Sequence, residues 1–212
     1  MAGRAADPLR VGVLASGAGT NLQALLDTVH GREAQIVGVA ADKPGAVALE
    51  RARSAGIETA VFPLADHPDR DARDSAIAAW LLERRAQLVV LAGYMALLTS
   101  PFLRRFPGAV LNVHPSLLPA FPGVRAIEQA LDYGVKVFGV TVHFVDDDGG
   151  VDTGPVILQR SVELPDASDP QAVHAQLRPL EHALLPEAVR LVARGALSRD
   201  PDNPRRVVVA QR

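Results

Sequence analysis

Two side chains able to handle a developing oxyanion stand at the end of one apolar run. In AVLNVHP, residues 109–115, Asn112 and His114 are two positions apart. Side chains of an extended strand alternate faces, so the amide and the imidazole share one. The amide offers two N–H donors, and the imidazole can donate another or shuttle a proton. Pro115 ends the ladder, and the LLP and FPG turns that follow restrict the backbone, which stiffens the strand-to-loop junction. An acidic partner is available in DDDGGVDTGP, residues 146–155. That loop fails as an EF-hand because Gly150 stands at the third ligand position and Ile157 at the twelfth. Asp152, just before Thr-Gly-Pro, is the carboxylate expected to approach His114 and favour its charged form. Asp146, Asp147 and Asp148 compete for that place. Asn, His and Asp without a serine or cysteine nucleophile point to acyl transfer in which the substrate amine attacks.

A second chemical feature is SGAGTN, residues 16–21, between an apolar run and a helical pattern. Backbone N–H groups, a hydroxyl and a helix N-terminus there suit an anion without a cationic side chain. The turn is not a nucleoside-triphosphate loop, since no Gly-Lys-Ser/Thr follows. It is also an imperfect dinucleotide fingerprint, since Leu22 occupies the third glycine position. A tight turn with no ligand is the plain alternative.

The elements that must carry these groups alternate along the chain. LRVGVLAS (9–16), IVGVAAD (36–42), TAVFPL (59–64), LVVLAGY (88–94) and AVLNVHP read as strands, with amphipathic helices between them and a short helix over TSPFLRRF. VFGVTVHFV (137–145) and VILQRSVEL (156–164) read as strands flanking the acidic loop, followed by a helix over 170–195 and a terminal strand RRVVVA. Runs this oily suit strands buried on both faces. The expected fold is α/β: an open, mainly parallel twisted sheet of about seven strands, with helices on both faces and a Rossmann-like N-terminal half. Ligands of such sheets gather outside the carboxyl ends of the strands, where the glycine turn, Gly93-Tyr94-Met95, Asn112-Val113-His114 and the loop after Val145 all fall.

Size and composition bound the rest. The 212 residues suit a single domain over 1–212, with residues 1–8 expected to be flexible, a mononucleotide-binding half over 9–110 and a catalytic half over 111–212. A net charge of −2 gives no reason to expect nucleic acid as partner, and small molecules are expected instead. Zero cysteines remove disulfides, thiolate metal sites and a cysteine nucleophile together. The N-terminus has arginines without an apolar core behind them, and the longest apolar run, 88–98, is too short to cross a bilayer. A cytoplasmic protein without membrane contact, monomer or homodimer, is the expectation.

With these pieces placed, the chain resembles the folate-dependent formyltransferases, and among them the phosphoribosylglycinamide formyltransferases of purine synthesis. The resemblance runs from about Val11 to Val209 through SGAGTNLQALL, LAGYM, LNVHPSLLPAFPG, TVHFV, DTGPVILQ and EHALLP. It implies 10-formyltetrahydrofolate as cosubstrate, glycinamide ribonucleotide as acceptor and no metal. It further implies that Gly19, Thr20 and Asn21 hold the ribose phosphate, with Pro115 and Glu181 on the same substrate and Glu181 near its amine. Met95, Ala96, Leu97 and Leu98 would line the folate pocket through main-chain groups, with Arg70, Asn112 and Val145 also on the folate. Asn112, His114 and Asp152 match the catalytic trio. Departures are Ala96 where arginine is common, Arg125 and Ile127 where relatives have histidines, and a longer acidic loop. Pro179 lies inside an expected helix two residues before Glu181, so a kink or break is expected there. The rivals are a formyltetrahydrofolate deformylase, which has a histidine where Pro115 stands, a methionyl-tRNA formyltransferase, which needs a basic C-terminal domain, and a non-catalytic nucleotide-binding protein.

Overall fold

The computed structural model describes residues 7–147 and 150–210. Six of the eight residues expected to be flexible, and Asp148, lie outside the described residues. The strands are β1 (Leu9–Leu14), β2 (Ala34–Ala41), β3 (Thr59–Val61), β4 (Leu88–Leu91), β5 (Val110–His114), β6 (Val137–Phe144), β7 (Val156–Glu163), β8 (Leu197–Arg199) and β9 (Val207–Val209). The α-helices are α1 (Thr20–Thr28), α2 (Val47–Ser54), α3 (Arg70–Glu83), α4 (Ser100–Leu103), α5 (Ala126–Tyr133) and α6 (Pro170–Ala193).

Seven strands form one sheet in the order β3-β2-β1-β4-β5-β6-β7. The first five run parallel, and β6 is antiparallel to both β5 and β7. Both faces are covered, which is why the parallel strands read as unbroken apolar runs. In β4, Leu88 and Val90 enter one core cluster with α1, α2, α5 and α6, while Val89 and Leu91 enter another with α3 and α4. Gly12 lets α3 come close, since a Cβ there would stand 2.6 Å from a methyl of Leu81. Strand order reverses between β1 and β4, and the crevice at that reversal is where such sheets bind ligands.

The terminal strand expected in RRVVVA is β9, which pairs antiparallel with β8 as a hairpin apart from the seven-stranded sheet, because a short connection favours its immediate neighbour. Residues 126–133, between the proline turns and β6, form α5, with Ala126, Ile127 and Ala130 buried and Gly134 closing the helix in the left-handed region. Of the kink or break expected at Pro179, the break is not there; α6 runs as one helix through Pro179 and Pro186. A helix-interior proline costs about 3 kcal/mol. Val173, Leu177, Leu184, Leu185, Ala188 and Val189 bury one face of α6, each large side chain contributing roughly 2 kcal/mol. Packing therefore outweighs the lost hydrogen bonds.

Candidate active site

β5 delivers Asn112 and His114 to the sheet's carboxyl edge on the side that faces α3 and α4, in step with Val110. Residues after His114 are held by their own contacts: the Ser116 hydroxyl donates to the Ala120 carbonyl at 2.6 Å, and the Thr141 hydroxyl to the Ser116 carbonyl at 2.7 Å. The turn then brings Phe121, with φ of 53°, round so that its carbonyl lies 2.9 Å from His114 Nε2. His114 is 5% exposed.

Asp152 meets this face from the acidic loop. Its Oδ2 lies 3.3 Å from His114 Nδ1 and accepts from the Gly123 amide at 2.8 Å. Its Oδ1 accepts from Asn112 Nδ2 at 3.2 Å and lies 3.5 Å from His143 Nε2. Burial pushes this carboxyl up, but the neighbouring His143 and His114 rings and the Gly123 amide overcome it and hold the group at about 2. Asp152 adopts φ of 55°, a left-handed conformation that Asp tolerates better than most residues. Of the competing acids that are described, Asp146 pairs with Arg199 at 2.8 Å, and Asp147 with Ser100 and Arg104.

His143 is the site residue that sequence reading missed. Its Nδ1 donates to the Phe144 carbonyl at 2.8 Å, which leaves Nε2 as an acceptor 3.2 Å from Asn112 Nδ2 when the ring is neutral. His143 is directly opposite Asn112 in the antiparallel β5–β6 register. Both amide protons of Asn112 are thus engaged by His143 and Asp152, and the two ring nitrogens of His114 face the Asp152 carboxylate and the Phe121 carbonyl. The TVHFV motif contained the residue; only the pairing register reveals its partner.

A second cluster forms at the glycine turn. Gly19 is left-handed, and a Cβ on it would lie 2.6 Å from Ala48 Cα, so α2 presses directly on the turn. α1 begins at Thr20 with no capping side chain and no acid in its first turn, leaving its N–H groups open to an anion. Asn21 Nδ2 donates to Glu181 Oε2 at 2.9 Å across 160 residues of sequence, and both side chains are buried. Asn21 Oδ1 has no hydrogen-bond partner among the described residues. Pro115 follows directly on β5, half-buried beside His114. β1 and β5 flank β4, so the two clusters lie about 10 Å apart across the sheet edge.

Between them runs the segment after β4. The Met95 amide donates to Ser16 Oγ at 2.9 Å, tying it to the glycine turn. Behind it, buried Asp74 accepts from the Thr99 amide at 2.8 Å and pairs with Arg73 at 2.6 Å. Met95 and Leu97 are exposed, whereas Ala96 and Leu98 pack against the α3 side of the core. Arg70 opens α3 one turn before those anchors and is exposed; Val145, half-buried, donates its amide to the Val110 carbonyl at 2.9 Å. Ile127 is buried in the core and Arg125 is exposed, so neither continues the polar face of His114. Among the described residues, no group of three or more His, Cys, Asp or Glu is arranged to hold a metal ion, and no helix is long and apolar enough to cross a membrane.

Comparison with known proteins agrees with this architecture. The sequence pattern of the family described as formyl transferase matches residues 9–189. Over 187 residues the chain is 46% identical to a phosphoribosylglycinamide formyltransferase of Mycobacterium tuberculosis, covering 88% of this chain and 86% of that protein. It is 42% identical over 194 residues to a trifunctional purine biosynthetic protein adenosine-3 of Drosophila pseudoobscura pseudoobscura, covering 90% of this chain. The chain spans only 14% of the length of that relative. A solved structure, glycinamide ribonucleotide transformylase 1 from Symbiobacterium toebii, superposes with a TM-score of 0.89 at 44% identity, covering 96% of this chain and 95% of that one.

Proposed function

Because the chain belongs to the formyl transferase family, we propose that it transfers the formyl group of 10-formyltetrahydrofolate to the amine of glycinamide ribonucleotide in purine synthesis. The products are formylglycinamide ribonucleotide and tetrahydrofolate. The observation that carries this reading is the pairing of two sites on one sheet edge. Asn112, His114 and Asp152 supply acyl-transfer chemistry, while the open turn at Gly19, Thr20 and Asn21, backed by Glu181, suits a phosphorylated amine.

In this mechanism the substrate amine attacks the formyl carbon, a C–N bond forms, and the carbonyl oxygen becomes an oxyanion. Asn112 Nδ2 and the charged imidazole of His114 stabilise it. Collapse breaks the bond to the folate nitrogen, which leaves with a proton. Asp152, held at about 2, is too weak a base to keep a proton at neutral pH. Its part is to orient and charge-balance His114, and protons cross it only in transit. The donors of Asn112 and His114 already have protein partners, at 3.2 Å for the amide and 3.3 Å for Nδ1. These contacts are long for hydrogen bonds, so a formyl oxygen competes with them at modest cost.

The remaining assignments belong to the same proposal. Arg70, Met95, Ala96, Leu97, Leu98, Asn112 and Val145 contact the folate, and Pro115 and Glu181 the nucleotide, with Glu181 receiving the amine. Residues 9–110 serve chiefly as the mononucleotide-binding half and 111–212 as the catalytic and folate-binding half. The enzyme acts without a metal on small molecules, not nucleic acid, in the cytoplasm, as a monomer or homodimer. One assay tests the reading: incubation with 10-formyltetrahydrofolate, with and without glycinamide ribonucleotide, following tetrahydrofolate and formylated nucleotide. Nucleotide-dependent release is expected. Release that ignores the nucleotide would identify a deformylase, and no release would refute formyl transfer.

A further inference from the structure

The acidic loop carries Asp152 from one core strand and back, and its two ends are pinned. The Phe144 amide donates to the Pro155 carbonyl at 2.9 Å. Gly154 passes so close that a Cβ would stand 1.8 Å from the Phe144 carbonyl oxygen. Closing the loop's base does not by itself fix Asp152, which lies eight residues beyond Phe144. The two acids that open the loop hold it from outside. Asp146 Oδ1 accepts from Arg199 NH2 at 2.8 Å, and the Arg199 guanidinium lies 5.4 Å from the Phe144 ring centre. Asp147 accepts from the Ser100 hydroxyl and lies 3.5 Å from Arg104 NH1. Ser100 opens α4, directly after the segment 95–98. Arg199 ends β8, so it belongs to the small C-terminal hairpin, outside the sheet that bears the reacting groups.

Resting on the proposed formyl transfer, we infer that Arg199 is a positioning residue: through Asp146 it holds the acidic loop so that Asp152 stays within reach of His114. The hairpin also meets the sheet edge at a parallel bridge between Val156 and Arg206, and its Leu197 and Val207 pack against the core. Its guanidinium reaches the one loop whose carboxylate meets the imidazole. Asp146 is mostly shielded from water, with its side chain 17% exposed against 37% for Arg199. The pair is therefore less screened than an ordinary surface contact. Two acids that look like competitors for the imidazole act instead as the fasteners of the third.

The test compares the full-length wild type with Arg199→Met, which keeps an apolar stem beside Phe144 but removes the charge. Arg199→Lys restores a charge, and Arg206→Met removes another arginine of the same hairpin, one that pairs with Asp200 at 3.4 Å. Expected for Arg199→Met is a fall in kcat of roughly two- to fivefold, with KM for glycinamide ribonucleotide unchanged. Arg199→Lys recovers part of the loss, and Arg206→Met matches wild type. Amide hydrogen exchange without substrates provides a second reading: residues 150–155 exchange faster in Arg199→Met while β4 and β5 do not change. Wild-type kcat, unchanged exchange at 150–155, or an equal loss in Arg206→Met would each overturn the inference. A wild type with no formyl transfer would sink the proposed activity alone, and exchange would still decide whether Arg199 holds the loop.

Discussion

Asp152→Asn is the substitution with the most separable consequences, because it keeps shape and removes one charge. Asp152 stands between His114 Nδ1 at 3.3 Å and His143 Nε2 at 3.5 Å, and accepts from Asn112 and the Gly123 amide. An asparagine has one acceptor oxygen where the carboxylate has two. If that oxygen keeps the Gly123 amide and faces His114, the new amide group confronts Asn112 Nδ2 as a second donor, and that contact becomes repulsive. Turnover loses both the counter-charge and the orientation of the imidazole, so kcat should fall roughly a hundredfold or more. Stability responds separately. The carboxyl moves from 3.8 to about 2 on folding, a difference worth up to roughly 2 kcal/mol at neutral pH, with some discount for screening. The folded value is the depressed one, so this contribution is whole above about pH 4 and disappears as pH falls through about 2. Denaturant midpoints should therefore separate wild type from Asp152→Asn at pH 6, and the gap should narrow toward pH 2. A variant whose kcat stays within about threefold of wild type would refute the catalytic role. A stability gap that is constant between pH 6 and pH 2 would refute the electrostatic one.

Three further outcomes follow from named contacts. His114→Ala should lose roughly a hundredfold or more in kcat while keeping its far-ultraviolet circular dichroism; measurable wild-type turnover would remove the imidazole from the mechanism. Gly19→Ala forces a side chain into a left-handed position with a Cβ 2.6 Å from Ala48 Cα. It should cost about 2 kcal/mol or more, seen as a Tm drop of at least about 4 °C, together with a raised KM for glycinamide ribonucleotide. Glu181→Gln keeps an acceptor for Asn21 Nδ2 but removes the charge proposed to meet the amine. Its KM for the nucleotide should rise about tenfold, and an unchanged KM in steady-state assays would place the amine elsewhere.

The parts legible in the sequence were those set by short-range periodicity. Alternation put Asn112 and His114 on one face, and oily runs between helical patterns implied the sheet. The Thr-Gly-Pro context marked Asp152, although loop length left three other acids in contention. Two of those three, Asp146 and Asp147, have partners that no local pattern records: Arg199 lies 53 residues from Asp146, and Arg104 is 43 residues before Asp147. Pro179 shows the reverse error. A local rule with a cost of about 3 kcal/mol predicted a kink or break, but Leu177, Leu184 and Leu185 bury the helix on both sides of it, and tertiary packing keeps it in one piece.

His143 marks the limit most clearly. In TVHFV it reads as one more inward residue of an apolar strand, and nothing in its spacing assigns it a partner. Opposite Asn112 in an antiparallel pair, it fixes which way that amide faces. With Nδ1–H committed to the Phe144 carbonyl, a neutral ring presents only a lone pair to Asn112, so the amide turns its nitrogen toward His143 and Asp152. In the proposed mechanism, the orientation an oxyanion needs from Asn112 is therefore set in part by a histidine outside the reacting set. A parallel β6 would have given β5 a different set of neighbours. The antiparallel turn of the sheet after β5 thus does more than extend it, because it brings the residue that orients the donor and the loop that carries Asp152 to the same edge.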